Sequence, residues 1–118
     1  MNLTTERIKD IVVIRVKESR MMYPLLSDFS ATTSELIAGG DRRFLVDLAS
    51  VGYIDSATIG CFMDLYRQVS AIGGAVKLCG VQRRVETMLT MTGAQNFVGI
   101  HADEQAAIRA FEGADAND

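Results

Sequence analysis

Short apolar runs alternate with longer segments of helical periodicity along most of this 118-residue chain. The clearest runs are "IVVIRV" at Ile11–Val16, "FLVDL" at residues 44–48 and "AVKLC" at Ala75–Cys79. They are dense in apolar and β-branched side chains, which predicts strands that are covered on both faces. Between them, apolar residues recur every three or four positions, as in helices that lie on a sheet. Strands that alternate with helices predict an α/β fold with a mostly parallel sheet.

Glycine pairs and capping residues divide the rest of the chain into further elements. Gly39-Gly40 and Gly73-Gly74 end the first two helices, and Asp103 caps the last one. The other predicted elements are, in chain order, a first strand at Leu3–Ile8, helices that begin near Pro24 and near Ser56, a helix at residues 82–91 and a strand at residues 96–100.

The predicted fold is a single α/β domain of order ββαβαβαβα over residues 1–118. Its sheet has four or five strands, mostly parallel, with an antiparallel edge from the opening hairpin and with helices packed on it. Val46 and Leu48 are expected in the core, and residues 113–118 are expected to form a frayed tail. A chain of this length buries roughly two thirds of its unfolded surface, so the core needs no disulfide or metal.

The composition argues against several classes of protein. The net charge is −3 and no long basic block occurs, so nucleic acid is not an expected partner. No apolar run approaches the length of a membrane-spanning helix, and the first ten residues lack the pattern of a signal peptide, so no membrane insertion is expected. Cys61 and Cys79 have neither disulfide nor metal spacing, which predicts reduced thiols in a cytoplasmic protein.

The chain offers little for catalysis. His101 is its only histidine, and it falls near the end of the last predicted strand. No HExxH, CxxC, P-loop or GxSxG motif occurs. Asp47 and Asp55 could bind magnesium together, but no further ligand supports such a site. We therefore expect a protein that is not an enzyme and that holds no metal and no cofactor.

The stretch "YIDSATIG", residues 53–60, places a polar Asp55-Ser56 pair where a strand turns into a helix. Either residue could cap the helix by accepting hydrogen bonds from its free N–H groups. The pair also lies at the carboxyl end of a strand, where open α/β sheets bind ligands. The residues that follow are mostly small, which leaves the hydroxyl and the helix N-terminus open to an anion such as phosphate. A cap and a modification site are both consistent with this pattern.

The run "FLVDLASVGYIDSATIG", followed by an amphipathic helix, "GG" and "VKLCGV", resembles the STAS domain of anti-sigma factor antagonists. The later "VETMLTMTGAQNFVGIHADEQAAI" is similar to the same family, so the resemblance covers nearly the whole chain. It implies that Ser56 is phosphorylated by an anti-sigma factor that is also a serine kinase. In such a switch the unphosphorylated form binds the kinase, phosphorylation releases it, and a serine phosphatase resets the cycle.

Two departures from the family pattern affect the predicted site. Ala57-Thr58 follow the serine where the family often has Ser-Gly, and Thr58 is a rival phosphoacceptor. Residues 18–22 replace a Gly-Glu-Leu-Asp type segment near the acceptor, so the identity of the partner stays open. Met21 and Met22 fit either an adaptable apolar patch or the core. The residues predicted to contact the partner are Asp55, Ser56, Thr58, Ile59, Ser19, Arg20, Met21 and Met22.

Two other functions remain open from the sequence. The first is a constitutive STAS scaffold in a stress-sensing or lipid-transport complex, which need not be phosphorylated. The second is a binder of small molecules or nucleotides. A homodimer is also left open.

Overall fold

The dense apolar runs form the centre of a five-stranded sheet in a computed structural model that describes residues 1–116, with side chains to Gly113. In chain order the elements are β1 (Leu3–Ile8), β2 (Ile11–Val16), β3 (Arg20–Met21), α1 (Leu26–Ala38), β4 (Arg43–Asp47), β5 (Tyr53–Ile54), α2 (Ser56–Ser70), β6 (Ala75–Cys79), α3 (Arg83–Met91), β7 (Gly99–His101) and α4 (Glu104–Ala116). Short 3-10 turns occupy Tyr23–Leu25 and Ala94–Asn96.

The main sheet has the strand order β1-β2-β4-β6-β7. The β1–β2 hairpin is antiparallel, and the other neighbours pair in parallel. This arrangement confirms the predicted mixed α/β sheet with an antiparallel edge. Among residues 1–116, no helix has both the length and the apolar character that a membrane crossing requires.

Alternate side chains of the central strands enter two separate cores, because successive residues of a strand point to opposite faces. One core joins the sheet to α1, α2 and α3, and it contains Phe44, Val46 and Leu78. The other lies under α4 and contains Val13, Leu45 and Phe111. The predicted core residues Val46 and Leu48 are both completely buried.

Three predicted boundaries differ from the structure. The strand expected at residues 44–48 is one residue earlier, at Arg43–Asp47. The strand expected at residues 96–100 was wrong in its first half, because Ala94–Asn96 form a 3-10 turn behind Gly93, whose φ is +79°. The tail expected at residues 113–118 includes the last turn of α4, which reaches Ala116, while residues 117–118 lie outside the described part of the chain.

Candidate functional site

A two-stranded sheet that the sequence did not predict fixes the point where the chain enters α2. β3 pairs in parallel with β5, so Arg20 lies beside Tyr53 and Met21 beside Ile54. The Arg20 guanidinium stacks over the Tyr53 ring at 4.9 Å, and the Gly52 N–H donates to the Ser19 carbonyl at 2.8 Å. The segment before α1 is therefore tied to the segment before α2.

Asp55 is the cap of α2. Its Oδ1 accepts hydrogen bonds from the Thr58 N–H at 2.9 Å and from the Thr58 hydroxyl at 2.7 Å. Its Oδ2 accepts from the Tyr23 N–H at 2.9 Å, at the start of the 3-10 turn that precedes α1. One carboxylate thus satisfies free donors at the beginnings of two helical segments.

These donors also set the ionisation of Asp55. Burial alone would raise its pKa, but the hydrogen bonds from Tyr23 and Thr58 favour the charged form and bring the pKa below the ordinary value of 3.8. Asp55 is therefore a carboxylate at neutral pH, and its charge is directed at backbone donors inside the fold.

Ser56 is the first residue of α2 and is exposed. Because Asp55 caps the helix, the Ser56 hydroxyl is not needed as the cap, and no hydrogen bond to it occurs within residues 1–116. The N–H groups of Ser56 and Ala57 likewise lack a partner in the described part of the chain. An exposed hydroxyl thus stands next to two unused donors at the positive end of a 15-residue helix.

Thr58 lies two positions away in the opposite environment. Its side chain is completely buried, and its hydroxyl is within 2.7 Å of both the Met21 carbonyl and the Asp55 carboxylate. Because a threonine hydroxyl has a single proton, that proton is directed into this internal pair of acceptors. Thr58 therefore connects α2 to β3 and does not face solvent.

The eight residues predicted to contact a partner divide into two groups. Ser19, Arg20 and Ser56 are exposed, and Asp55 and Met22 are half-buried. The structure corrects the prediction for the other three. Met21 and Thr58 are completely buried and Ile59 is only 8% exposed, because β3 and the first turn of α2 pack their side chains into the core. For the two methionines, whose location the sequence left open, the structure places Met21 in the core and leaves Met22 half-buried.

The remaining candidates of the sequence do not join this site. Asp47 pairs with Arg15 at 2.9 Å and accepts from the Ala49 N–H, so its oxygens are engaged away from Asp55. His101 lies on the α4 side of the sheet, paired in register with Cys79. Burial and the nearby Lys77 lower the pKa of His101. No group of three potential metal ligands occurs within residues 1–116.

Two features of the site were missed from the sequence. The Tyr23 N–H is a partner of Asp55 from 32 positions away, and the Arg20–Tyr53 stack spans β3 and β5. Two-residue strands have no periodicity to detect, so nothing in the sequence indicated this small sheet. Pro24 did mark the helical start that brings Tyr23 to the site.

Residues 2–107 match the STAS domain family, so the chain belongs to that family. A Thermotoga neapolitana protein named as an anti-sigma factor antagonist TM1081 homolog is 29% identical over 67% of this chain and 70% of its own length. The anti-sigma-B factor antagonist of Bacillus subtilis is 28% identical over 60% of this chain and 63% of its own length. STAS anti-sigma factor antagonists are regulatory binding proteins rather than enzymes, as the lack of catalytic motifs predicted.

Solved structures agree on the fold. The crystal structure of an anti-sigma factor antagonist from Thermotoga maritima superimposes with a TM-score of 0.83, at 20% identity and 92% coverage of both chains. The Bacillus protein SpoIIAA in its unphosphorylated form gives 0.73, at 21% identity, over 95% of this chain and 99% of its own. SpoIIAA has also been solved in its phosphorylated form, which gives 0.72 at 18% identity, over 92% of this chain and 99% of its own.

Proposed function

We propose that this chain is an anti-sigma factor antagonist that binds an anti-sigma factor with serine kinase activity and is released when Ser56 is phosphorylated. One observation carries the proposal: Ser56 is exposed at the first position of α2, while Asp55 caps the helix in its place. A serine that is not needed for folding at this position is available for modification.

The environments of the two candidate acceptors favour Ser56 over Thr58. Thr58 is completely buried and its hydroxyl is hydrogen-bonded inside the fold. A kinase could reach it only after the first turn of α2 had separated from β3. The Ser56 hydroxyl requires no such rearrangement, because it is exposed and has no partner within residues 1–116.

Phosphorylation at Ser56 would have opposite effects on the fold and on an interface. The phosphate adds about −1.5 to −2 charges at pH 7. The unused N–H groups of Ser56 and Ala57 and the helix dipole favour that charge by about 0.3–1 kcal/mol, so the fold survives. A partner surface fitted to a neutral hydroxyl would instead bury a charge without a counterion, which costs several kcal/mol. The modification therefore acts on binding and leaves folding intact.

The comparisons support this reading of the site. Two relatives are named as anti-sigma factor antagonists, and structures of SpoIIAA have been solved in its unphosphorylated and phosphorylated forms. By analogy, the partner surface consists of Ser56 with the accessible residues Ser19, Arg20, Met22 and Asp55. A serine phosphatase would reset the switch, and both partners imply a cytoplasmic location.

The test uses wild type, Ser56→Ala and Thr58→Val with a purified candidate kinase, ATP and magnesium. Mass spectrometry should find one phosphate on wild type and on Thr58→Val, none on Ser56→Ala, and should map it to Ser56. Calorimetric titration with the kinase should show binding by wild type and by Ser56→Ala, and at least hundredfold weaker binding by Ser56→Asp.

Two results would redirect the proposal. A phosphate that maps to Thr58 would keep the mechanism and move the acceptor, and would show that α2 opens at its first turn. Absence of any phosphate, with equal binding by wild type and Ser56→Asp, would favour the constitutive scaffold instead.

A further inference from the structure

An open groove runs beside the candidate site, between the start of α1 and the exposed side of α2. Its volume is about 510 Å³, which lies in the range of sites that hold small molecules or large side chains. Its lining residues are Tyr23, Pro24, Leu26, Ser27, Ser30, Ala57, Gly60, Cys61 and Asp64. Ala57 follows Ser56 directly, so a partner that covers the Ser56 hydroxyl also reaches the mouth of this groove.

Gly60 has no side chain to fill the groove from the α2 side. It is the fifth residue of a 15-residue helix, where glycine destabilises the helix relative to alanine. Its backbone does not have a positive φ, and a Cβ placed on it would meet no atom of the described residues within 4 Å. Neither a turn nor a packing contact within the described part of the chain therefore requires glycine there. The space in front of Gly60 is open to a group from outside.

The opposite wall has the composition of an interface. Tyr23 is 74% exposed. Aromatic side chains are more frequent at protein–protein interfaces than on the rest of the surface, so its exposure favours a contact with a partner. Pro24 and Leu26 continue the apolar surface from Tyr23 into the groove. The uncharged polar groups of the lining are the Ser30 hydroxyl, which is 3.4 Å from the Cys61 sulfur, and the hydroxyls of Ser27 and Tyr23. This lining suits an apolar side chain better than a polar metabolite.

The charge at the rim is negative. Asp64 is the only charged residue among those that line the groove. It pairs with Arg67 one turn further along α2, but both side chains are more than 60% exposed. Exposed pairs of this kind are weak, so Asp64 can exchange Arg67 for a basic group of a partner.

We propose that this groove receives an apolar side chain of the anti-sigma factor kinase, next to an arginine or lysine that pairs with Asp64. The identity of the partner rests on the function proposed above, whereas the groove as a docking surface rests on its own geometry. Ser56 would then report the state of the switch, and the groove would supply contact area that phosphorylation does not alter.

The first test fills the groove. Gly60→Leu places a side chain in the open space. Gly113→Leu is the matched control, since Gly113 is also a helical glycine whose Cβ would meet no described residue within 4 Å. Gly113 lies on α4, across the sheet. Both variants should melt no lower than wild type, because leucine favours a helix over glycine. In titrations with the purified kinase, Gly60→Leu should bind at least tenfold more weakly, and Gly113→Leu should match wild type.

The second test uses the thiol in the groove. Cys61 is half-buried, whereas Cys79 is 2% exposed, so iodoacetamide at mildly alkaline pH should modify Cys61 first. Burial raises the pKa of both thiols, and it raises that of Cys79 to about 12. Because the thiolate is the reactive form, Cys79 should be alkylated even more slowly than Cys61. Saturation with the kinase should slow the alkylation of Cys61 at least tenfold.

A third test changes the charge at the rim of the groove. Asp64→Asn should slow the association of the chain with the kinase about threefold or more at low salt, and Glu112→Gln on α4 should not.

The outcomes separate this inference from the function on which it rests. Docking of the kinase in the groove would be disproved if Gly60→Leu bound the kinase as tightly as wild type does. It would also be disproved if Cys61 were alkylated at the same rate in the complex as in the free chain. If Gly60→Leu loses binding while Ser56→Asp keeps it, the groove stands and the phosphorylation switch fails. Protection of Cys61 that rises with the concentration of the chain alone would assign the groove to a second copy and overturn the kinase as its occupant.

Discussion

The N-termini of α2 and α4 share their capping chemistry and differ at the next residue. Each helix follows a strand, and each aspartate cap accepts from the N–H three residues on: Asp55 from Thr58 at 2.9 Å and Asp103 from Ala106 at 2.8 Å. The first residue of α4 is Glu104, which pairs with Arg15 at 2.7 Å. The first residue of α2 is Ser56, which is neutral and whose hydroxyl has no hydrogen bond within residues 1–116.

This difference shows what a helix start in this fold tolerates. At α4 the first position carries a negative charge, which the helix dipole favours and Arg15 neutralises. The hydrogen bonds with Glu6 and Glu104 in turn raise the pKa of Arg15. At α2 the same position is left without a charge. A phosphate there would give α2 the negative group that α4 already has, so the fold can accept it.

An exchange of residues between the two positions should have the largest effect. Ser56→Glu should weaken binding of the kinase at least hundredfold, because the interface would bury a charge at a surface that is complementary to a neutral hydroxyl. Glu104→Ser should leave binding within about twofold, since α4 covers the other face of the sheet. Titration calorimetry would measure both affinities. Equal losses for the two variants would mean that the interface is not centred on α2.

The two caps should differ in their contributions to stability. Asp103→Ala should lower the free energy of unfolding by about 1 kcal/mol, the usual value for a cap. Asp55→Ala should cost about 2 kcal/mol, because Asp55 also accepts from the Tyr23 N–H. Urea unfolding followed by circular dichroism would give both values. If Asp55→Ala costs no more than Asp103→Ala, the bond to Tyr23 contributes nothing.

The two hydroxyls of α2 should differ by a smaller amount. Thr58→Val removes a buried hydroxyl that binds the Met21 carbonyl, and should cost about 1 kcal/mol. Ser56→Ala should change stability by less than about 0.5 kcal/mol, as expected of a surface position whose hydroxyl has no hydrogen bond within residues 1–116. The same urea experiment would compare them. A larger loss for Ser56→Ala would assign the serine a structural role.

The smallest effect should be the pH dependence of the α2 cap. The pKa of Asp55 is lower in the folded chain than its ordinary value of 3.8. The charged cap therefore stabilises the fold fully above pH 3.8, and this contribution disappears as the pH falls through the folded value. Comparison of wild type with Asp55→Asn from pH 7 down to acid should show a difference that shrinks only below about pH 4. A constant difference would show that the charge of Asp55 does not contribute.

The sequence predicted the main sheet well, because its strands are long enough to have a pattern. Ile11–Val16 and Ala75–Cys79 lie where the dense apolar runs placed them, and Ser56 begins a helix as expected. The pattern could not separate the two roles of the Asp55-Ser56 pair, since either residue can cap a helix. That distinction depends on which side chain faces the N–H groups, and only the folded geometry determines it.

The accessibility of the predicted partner residues was harder to predict, for a reason that Met21 and Thr58 illustrate. A polar or flexible residue next to a candidate site is expected at the surface, but both are completely buried. Their burial depends on the pairing of β3 with β5, two strands of two residues each that lie more than 30 positions apart. Contacts between short elements so distant in sequence leave no local periodicity to detect.

The buried hydroxyl of Thr58 also has a consequence for the way in which a kinase would recognise Ser56. Its bonds to Met21 and Asp55 hold the first turn of α2 in helical form against β3. A kinase that modified Ser56 as proposed would therefore meet a folded helix start and not an extended peptide. Its selectivity would then come from the shape around the serine, and a short peptide that contains "YIDSATIG" would be a poor substrate.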